Sequence, residues 1–401
     1  MKIVLAKRHS TLDRRGISRQ AAGGMSGTLS AAEQLRYSRH LLIPEVGAAG
    51  QLRLKNAAVL LIGSGALGSP IAMYLAAAGV GRLGLVDADV VEASNLQRQI
   101  LHSEAWLGQA KVASAAARLQ EVNPHIQIEL HACRFTPDNA LEIAGGYDVI
   151  VDGSDNFPTR FLTNDTAYFL RKPLVYGAIQ RFEGQTGVFA PHLAGPCYRC
   201  LLPQLPAAGS VPSCQEAGVL GVLPGIIGSL QAMEALKLIL GIGVVPLGKL
   251  TVYDALRSTF RSLKVERDPQ CRLCGDQPQI HSVTNAETTA QPTCEFTQQT
   301  MDSITTTELR AVLHGGFTGL LIDVREPEEH ALAHIPGARL IPLPTLAEQL
   351  GTLPRDRQIY VHCKSGMRSS KAVRMLLERG FSQVKNVTGG IDAWLAEESA
   401  R

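Results

Sequence analysis

Three groups of residues in this chain have the types and the spacing to do chemistry. The stretch "GSGALG" at Gly63–Gly68 matches the pattern G-x-G-x-x-G, which lets a backbone approach phosphate groups closely. Two Cys-x-x-Cys pairs, "CYRC" at Cys197–Cys200 and "CRLC" at Cys271–Cys274, supply four thiols. Far downstream, Cys363 opens the polar stretch "CKSGMRS". These groups indicate a nucleotide site, a metal site and a reactive thiol.

The glycine stretch lies between a predicted strand and a predicted helix. Ala57–Gly63 is a short apolar run typical of a buried strand, and Leu67–Ala77 is predicted to be helical. A second strand, Arg82–Asp87, ends in Asp87, at the distance from the glycines where an acidic residue binds a ribose hydroxyl. The unit indicates nucleotide binding, and its alternative is a structural turn without a ligand.

The rest of the first two thirds continues the alternation of strands and helices. Gln127–Leu130 and Tyr147–Asn156 are further predicted strands, so we expect a doubly wound α/β sheet. Residues 223–240 form a helix that is apolar on most faces, which predicts burial. Ala57–Gly81 lacks charged residues, but five glycines and Pro70 interrupt it, so no membrane span is predicted.

Residues beyond the glycine loop favour ATP over a dinucleotide. "SNLQRQ" at Ser94–Gln99 and Lys111 supply amide and cationic groups soon after the acidic residue. "DGSDN" places Asp155 and Asn156 just past the carboxyl end of a strand, where open sheets bind ligands. Fixed cations and a carboxylate able to hold Mg²⁺ suit a triphosphate, whereas hydride transfer requires neither. An NAD-dependent oxidoreductase remains the alternative.

Residues 29–280 resemble the adenylating enzymes that activate ubiquitin-like sulfur carriers, such as the molybdopterin-synthase and thiazole-pathway adenylyltransferases. The stretches that carry this resemblance are "LRYSRHL", "GSGALG", "LVDADVVEASNLQRQ", "GQAKV", "DGSDN", "GAIQRFEGQ", "CYRC" and "CRLC". The candidate ATP-binding residues are Gly63, Gly65, Ala66, Gly68, Asp87, Ser94, Asn95, Leu96, Gln97, Arg98, Lys111, Asp155 and Asn156.

The resemblance also implies roles for individual residues. It implies that Asp87 holds the ribose, that Asp155 supports Mg²⁺ and catalysis, and that Arg39 reaches the ATP of a second subunit in a homodimer. The implied partner is a small ubiquitin-like carrier protein with a C-terminal Gly-Gly. One departure is Ala66, because many relatives have glycine there; it requires ordinary backbone angles at this point of the loop.

The four paired cysteines, Cys197, Cys200, Cys271 and Cys274, form the donor set that structural Zn²⁺ prefers. Their separation along the chain exceeds common zinc-ribbon spacing, and a redox Cys-x-x-Cys is the rival interpretation. Two pairs argue against redox chemistry, and the resembled family carries such pairs as a zinc clamp. We therefore expect a closed, structural zinc site.

Cys363 is predicted to lie where a strand passes into a helix that opens at Ser369, so that backbone N–H groups stabilise its thiolate. A Cys-dependent phosphatase commonly has five residues between its cysteine and its arginine, whereas four residues separate Cys363 from Arg368 here.

About residues 301–401 resemble the rhodanese sulfurtransferases. The stretches that carry this resemblance are "IDVREPEEHALAHIPGARLIPL", the Cys363 loop and "VTGGIDAW". The resemblance implies that Cys363 carries a persulfide. The candidate sulfur-donor loop comprises Lys364, Ser365, Gly366, Met367 and Arg368, with Arg368 expected to attract an anionic sulfur donor. Asp323 and Arg325 are interpreted as structural.

Cys214 is a further candidate in a loop rich in proline, glycine and serine. In resembled two-domain proteins a cysteine here takes the carrier as a thioester or resolves an acyl disulfide. A harmless loop thiol is the alternative.

Composition and charge restrict the partners and the compartment. The net charge is +3, but residues 1–28 carry six basic residues and one acidic residue, so the remaining body is nearly neutral. This argues against nucleic acid as the main partner. Cys-x-x-Cys pairs without a secretory signal favour a reducing compartment, which we expect to be the cytoplasm. The expected organisation is a disordered leader at 1–28 (a transit peptide being the alternative), an adenylyltransferase domain at 29–280, a linker at 281–300 and a rhodanese domain at 301–401.

These parts predict one reaction sequence. ATP and Mg²⁺ adenylate the carrier's C-terminal glycine, and sulfur from a Cys363 persulfide gives a thiocarboxylate, for molybdopterin, thiamine or related sulfur transfer. The upstream donor is expected to be a cysteine desulfurase or thiosulfate. The alternatives are an NAD-dependent oxidoreductase, a Cys-dependent phosphatase fused to a nucleotide domain, and a non-catalytic scaffold.

Overall fold

The computed structural model describes residues 27–206, 218–284 and 302–399. The chain divides into two compact units, residues 1–290 and residues 291–401. The first unit contains an eight-stranded sheet and the second a five-stranded sheet.

The first unit surrounds a mixed sheet. Its strands are β1 (Ala58–Ile62), β2 (Arg82–Val86), β3 (Gln127–His131), β4 (Val149–Asp152), β5 (Leu174–Gln180), β6 (Glu183–Phe189), β7 (Lys249–Asp254) and β8 (Thr259–Lys264). Its helices are α1 (Ala31–Arg36), α2 (Ser38–Leu41), α3 (Gly47–Asn56), α4 (Gly68–Ala78), α5 (Lys111–Val122), α6 (Pro137–Gly145), α7 (Phe157–Phe169), α8 (Tyr198–Leu201) and α9 (Val222–Leu240).

The strand order is β3-β2-β1-β4-β5-β6-β7-β8. Strands β1 to β5 are parallel, and β5 to β8 are joined by antiparallel pairing. The prediction of a doubly wound Rossmann-like domain is confirmed. The antiparallel half was not predicted, because its hairpin strands carry no signal comparable to the glycine loop.

Helix α9 is the core helix of this unit. Ile227 and Leu238 belong to the main buried cluster, and Gln231 donates from Nε2 to the carbonyl oxygen of Asp152 at 2.7 Å. By length and mean hydropathy (1.4), α9 is the one helix among residues 27–206, 218–284 and 302–399 that could cross a membrane. Its packing in the core accounts for that apolar composition.

The stretch "LSAAEQLRYSRHL" at residues 29–41 predicts one helix with Ser30 as its N-cap and Glu33 three residues on. The structure breaks this helix at Tyr37. The predicted cap is confirmed, since the Glu33 N–H donates to Ser30 Oγ at 3.2 Å and the Ser30 N–H donates to the Glu33 carboxylate at 2.8 Å. Tyr37 is buried, and its hydroxyl accepts from Asn123 Nδ2 at 2.8 Å. This tertiary anchor lies between α1 and α2 and explains the break.

The second unit is an all-parallel α/β sheet. Its strands are β9 (Ser303–Thr305), β10 (Leu320–Asp323), β11 (Arg339–Leu340), β12 (Ile359–His362) and β13 (Val384–Thr388), in the order β11-β10-β12-β13-β9. Its helices are α10 (Thr306–His314), α11 (Pro327–Leu332), α12 (Met367–Glu378) and α13 (Gly390–Ser399). Strand β12 is central and fully buried, so the residue that follows it emerges at the middle of the sheet edge.

Candidate active sites and metal centre

The glycine loop turns sharply between β1 and α4. Gly63 has φ +89°, a conformation that side chains rarely adopt, and a Cβ on Gly68 would come within 2.1 Å of the Gly63 carbonyl oxygen. Ala66 keeps a negative φ, so the departure from glycine there causes no backbone strain. The loop therefore needs glycine at both ends and accepts alanine in the middle.

Asp87, predicted to hold a ribose, also holds the glycine loop. Its Oδ2 accepts from the Ser64 N–H at 2.9 Å and from Ser64 Oγ at 3.0 Å, while its Oδ1 accepts from the Asp89 N–H at 2.9 Å. The loop and the end of β2 are thus fixed to each other before any ligand binds.

A cleft of about 550 Å³ opens at the carboxyl ends of β1, β2 and β4. Of the candidate nucleotide-binding residues, Gly63, Gly65, Ala66, Asp87, Arg98, Lys111, Asp155 and Asn156 line this cleft. Gly68, Ser94, Asn95, Leu96 and Gln97 are not among its lining residues. Most of the predicted nucleotide-binding residues therefore line one cleft, and the other five lie outside its lining.

Both candidate phosphate-binding cations already have partners. Lys111 begins α5, and its Nζ lies 2.9 Å from the carboxylate of the largely exposed Asp89. Arg98 donates from Nη1 to the Ser94 carbonyl oxygen at 2.9 Å, and its N–H donates to the Asn95 carbonyl at 3.0 Å. Ser94 and Asn95 thus support the turn that presents Arg98.

Asp155 is exposed in the loop after β4. Its neighbour Asn156 caps α7, accepting from the Thr159 N–H at 3.0 Å, and directs its Nδ2 to Asp155 at 3.5 Å. Within the described residues Asp155 makes no ion pair, so its carboxylate is available to a ligand or a cation. Arg39, on α2, is exposed and does not line the cleft of its own chain.

Sequence reasoning missed a buried histidine behind the glycine loop. His102 Nε2 lies 3.0 Å from the Ser64 carbonyl oxygen, and Nδ1 lies 3.0 Å from Ser114 Oγ. Burial lowers the pKa of His102, so the ring is neutral, with Nε2 donating to the carbonyl. No sequence pattern marks this residue, because its partners are distant along the chain.

A second missed group lies under the floor of the cleft. Asp152 is fully buried, burial raises its pKa, and its Oδ1 accepts from the Ser154 N–H at 2.9 Å. The guanidinium of Arg160, which lines the cleft, stacks over Phe157 and Tyr176. The first aspartate of "DGSDN" therefore belongs to the floor and only the second is exposed to the cleft.

The four paired cysteines converge on one point. The Sγ atoms of Cys197, Cys200, Cys271 and Cys274 all lie within 4.8 Å of one another. Three separations, 3.4, 3.5 and 3.8 Å, approach the roughly 3.8 Å that a tetrahedral Zn²⁺ imposes on its thiolates. The Asp268 N–H donates to Cys200 Sγ at 3.4 Å, a hydrogen bond that orients the sulfur and stabilises it as a thiolate. The cluster can bind zinc.

The residues between the first two cysteines anchor the cluster to α7. Arg199 forms a two-pronged ion pair with the buried Asp165, at 2.8 and 2.6 Å. The Tyr198 N–H donates to Asn164 Oδ1 at 2.7 Å, and its ring packs against Phe161. "YR" within "CYRC" therefore positions the first pair of thiols.

Cys363 directly follows β12 and is buried, with 1% of its surface exposed. Its Sγ accepts from the Gly366 N–H at 3.1 Å and from Ser369 Oγ at 3.4 Å. The prediction that the helix opens at Ser369 was wrong, since α12 begins at Met367. Gly366 adopts φ +101° and starts the helix two residues early, which tightens the loop around the sulfur.

Arg368, which was predicted to attract an anionic sulfur donor, has a carboxylate partner that the sequence did not indicate. Arg368 donates from Nη1 and Nη2 to both carboxylate oxygens of Glu329 on α11, at 2.6 and 2.7 Å. Its positive charge is therefore balanced by Glu329 in this structure. Lys364 and Ser365 are exposed in the same loop.

Asp323 and Arg325, which were interpreted as structural residues, form a buried ion pair at 2.6 Å. Burial opposes ionisation of Asp323, but Arg325, His362 and His330 outweigh it and hold its pKa at about 2. This group supports the strand end that precedes Cys363.

Of the three remaining cysteines, Cys133 is the one that lies within the described residues. Cys214 lies outside the described residues, as does Cys294. Cys133 lines the cleft, and Asn139 Nδ2 lies 3.7 Å from its sulfur.

Comparison with protein families identifies both units. Residues 37–273 match the ThiF family and residues 305–397 match the rhodanese-like domain. The two matched stretches fall one in each compact unit.

Two named relatives match nearly the whole chain, and a third matches about the first two thirds of it. The probable adenylyltransferase/sulfurtransferase MoeZ of Mycobacterium tuberculosis is 46% identical, over 92% of this chain and 94% of its own. The adenylyltransferase and sulfurtransferase MOCS3 of Sus scrofa is 43% identical, over 92% and 87%. The sulfur carrier protein adenylyltransferase of Thermus thermophilus is 53% identical, over 63% and 94%.

Solved structures agree on the fold of the first unit. E. coli MccB has a TM-score of 0.53 at 24% identity and covers 60% of this chain and 74% of its own. PaaA has a TM-score of 0.51 at 21% identity, and the match covers 61% of this chain and 77% of PaaA.

The family matches and the named relatives favour neither an oxidoreductase nor a phosphatase. The chain belongs to the ThiF family and carries a rhodanese-like domain, which makes it an adenylyltransferase joined to a sulfurtransferase.

Proposed function

We propose that this protein adenylates the C-terminal glycine of a small ubiquitin-like sulfur carrier ending in Gly-Gly, and then converts it to a thiocarboxylate with sulfur from Cys363. The carrier serves molybdopterin, thiamine or a related sulfur-transfer pathway. The observation that carries the proposal is the presence, in one chain, of a cleft built around a phosphate-binding glycine loop and a thiol enclosed by hydrogen-bond donors.

In the first step the carrier carboxylate attacks the α-phosphate of ATP and pyrophosphate leaves. The glycine loop from Gly63 to Gly68 holds phosphate, Asp87 holds the ribose, and Arg98 and Lys111 stabilise the charge that builds up on the phosphates. Asp89 releases Lys111 when the more highly charged phosphate binds. Residues 94–97 act by carrying Arg98.

Mg²⁺ fits the residues at the cleft, because it prefers one or two carboxylates together with substrate phosphates. Asp155, exposed and without an ion pair in the described chain, would be its ligand, with Asn156 beside it. When bound, the ion neutralises phosphate charge. We further propose that Arg39 completes the cleft of a second subunit in a homodimer.

The four-cysteine cluster would hold Zn²⁺ in a structural role. Four thiols fill a tetrahedral shell, so no position remains for a substrate. The bound ion would tie the α8 turn to the loop at residues 268–275, near the end of the adenylation domain.

In the second step Cys363 accepts sulfane sulfur from a cysteine desulfurase or thiosulfate. Its persulfide attacks the acyl-adenylate, AMP leaves, and an acyl disulfide forms. The Cys214 thiolate then attacks Cys363 Sγ, which forms a Cys214–Cys363 disulfide and releases the thiocarboxylate. A cellular thiol reduces that disulfide. Joining both activities in one chain raises their effective concentration.

The organisation that goes with this scheme is an adenylyltransferase domain at 29–280 and a rhodanese domain at 301–401, working in the cytoplasm. Residues 1–28 and 281–300, most of which lie outside the described residues, would serve as leader and linker.

The experiment is mass spectrometry of candidate carriers incubated with the protein, ATP, Mg²⁺ and a sulfur donor. We expect the carrier to be adenylated when the sulfur donor is omitted. When the donor is present, we expect the carrier to gain one sulfur in place of an oxygen. A carrier that lacks its final Gly-Gly is the control and gains neither. If no tested carrier forms an adenylate and none supports ATP–pyrophosphate exchange, the proposal is wrong.

A further inference from the structure

The sulfur-donor loop contains an arginine whose charge is cancelled within the same unit. Arg368 and Glu329 meet through two parallel hydrogen bonds of 2.6 and 2.7 Å, the geometry of the strongest guanidinium–carboxylate pairs. Glu329 holds the pKa of Arg368 above, and Arg368 the pKa of Glu329 below, its ordinary value, so both stay charged around neutral pH.

The position of the pair makes this cancellation relevant to sulfur transfer. Arg368 is the second residue of α12, whose first turn surrounds the Cys363 sulfur, and its charge interacts with that sulfur. The side chains of Arg368 and Glu329 are 24% and 32% exposed, so solvent screens them only in part. A donor that approaches Cys363 therefore meets a neutral pair instead of a free cation.

Sulfur donors differ in their negative charge, and this charge determines how strongly they depend on an uncompensated cation beside Cys363. Thiosulfate is a dianion, and its leaving group, sulfite, also leaves as a dianion. A persulfide on a cysteine side chain brings one negative charge at most. Binding of a dianion depends on an uncompensated cation much more than binding of a singly charged persulfide does.

We propose that Glu329 is a specificity-determining residue that makes the Cys363 loop select a cysteine-borne persulfide over thiosulfate. The proposal rests on the proposed function, in which Cys363 carries the sulfur. In the favoured reaction the Cys363 thiolate attacks the terminal sulfur of the donor persulfide. A new S–S bond forms, the donor S–S bond breaks, and the donor cysteine leaves as its thiolate.

The informative variant is Glu329→Gln in the full chain. Glutamine keeps a side-chain oxygen for Arg368 and for the Glu326 N–H, which donates to Glu329 Oε2 at 3.1 Å, but removes the charge. The matched control is Glu328→Gln, because Glu328 is the adjacent, exposed residue of the same helix.

Each protein is assayed with cyanide as acceptor and with two donors: thiosulfate, and the persulfide of N-acetylcysteine amide. Cyanide takes the terminal sulfur as thiocyanate and regenerates the thiolate. We expect Glu329→Gln to raise kcat/KM for thiosulfate about tenfold, with less than about a twofold change for the persulfide. Glu328→Gln should change neither.

A double variant shows whether the effect passes through Arg368. Glu329→Gln combined with Arg368→Gln should return thiosulfate kcat/KM to the unmodified level or lower. If Glu329→Gln lowers kcat/KM equally for both donors, Glu329 is a structural residue and the inference is wrong. The inference is also wrong if kcat/KM is unchanged for both donors while the melting temperature of the variant is unaltered.

The inference and the proposed function fail in different ways. If the unmodified protein and Glu329→Gln use thiosulfate equally well while Cys363 still acquires a persulfide by mass, only the inference fails. If Cys363 acquires no sulfur from either donor, the proposed function fails.

Discussion

The Gly68 Cα lies so close to the Gly63 carbonyl that a Cβ on Gly68 would come within 2.1 Å of that oxygen. The contact joins the two ends of the loop that opens the cleft. Gly68→Ala must push the loop apart, so we expect a loss of about 1–3 kcal/mol in the free energy of unfolding and of most ATP affinity. Denaturant unfolding and ATP titration measure both. Gly225→Ala, where a Cβ meets nothing within 4 Å, is the control and should leave both close to normal.

Asp155 is the exposed carboxylate at the end of β4, and its loss should remove adenylation while the fold persists. We expect Asp155→Asn to lower carrier-dependent ATP–pyrophosphate exchange about 100-fold or more, because the carboxylate that would hold the phosphate-neutralising Mg²⁺ disappears. Asp138→Asn, an exposed carboxylate on α6 outside the cleft lining, should exchange normally. Normal exchange by Asp155→Asn would remove Asp155 from the mechanism.

Cys363 should be needed for sulfur transfer and not for adenylation. We expect Cys363→Ser to exchange pyrophosphate at the normal rate and to form no thiocarboxylate, since serine cannot carry a sulfane sulfur. Intact-mass analysis of the carrier measures the product, and Cys294→Ser is the matched control. A thiocarboxylate made by Cys363→Ser from enzyme-borne sulfur would identify another carrier residue.

The four-thiol cluster should release its metal when one ligand is lost. We expect Cys271→Ser to bind much less than the roughly one zinc ion per chain of the unmodified protein and to melt about 10 °C lower. Metal analysis and calorimetry test this, again with Cys294→Ser as control. Unmodified protein purified without metal, yet fully folded, would end the zinc assignment.

Asp323 should make the rhodanese unit sensitive to acid. Although burial opposes ionisation, its partners hold its pKa at about 2, below the value of about 3.9 in an unfolded chain. The stability it contributes is therefore complete above about pH 5, and about 2 kcal/mol of it is lost by the time the pH reaches 2. Fluorescence-detected unfolding in a Trp106→Phe background reports on Trp394, the other of the two tryptophans.

The control for this prediction is Asp323→Asn in the same background. This variant starts less stable, because Arg325 loses its buried partner, but its unfolding should vary less between pH 4 and pH 2. An equal acid loss in both proteins would place the responsible group elsewhere.

Local patterns alone were enough for several features. The capping residues Ser30 and Glu33, the glycine loop and each single Cys-x-x-Cys pair are encoded within a few neighbouring residues, so they could be predicted. The meeting of the two cysteine pairs, which are 74 residues apart, depends on the fold. The doubly wound order also follows from alternating strands and helices, because βαβ connections have few alternatives.

Tertiary structure alone decided which charges remain uncompensated. The sequence marked Lys111, Arg368 and Asp155 as charged groups near reacting atoms. The fold paired Lys111 with Asp89 and Arg368 with Glu329, and left Asp155 without an ion pair in the described chain. These pairs span 22 and 39 residues, so no local pattern records them. An ion pair depends on distance in space, and only the packed chain fixes that distance.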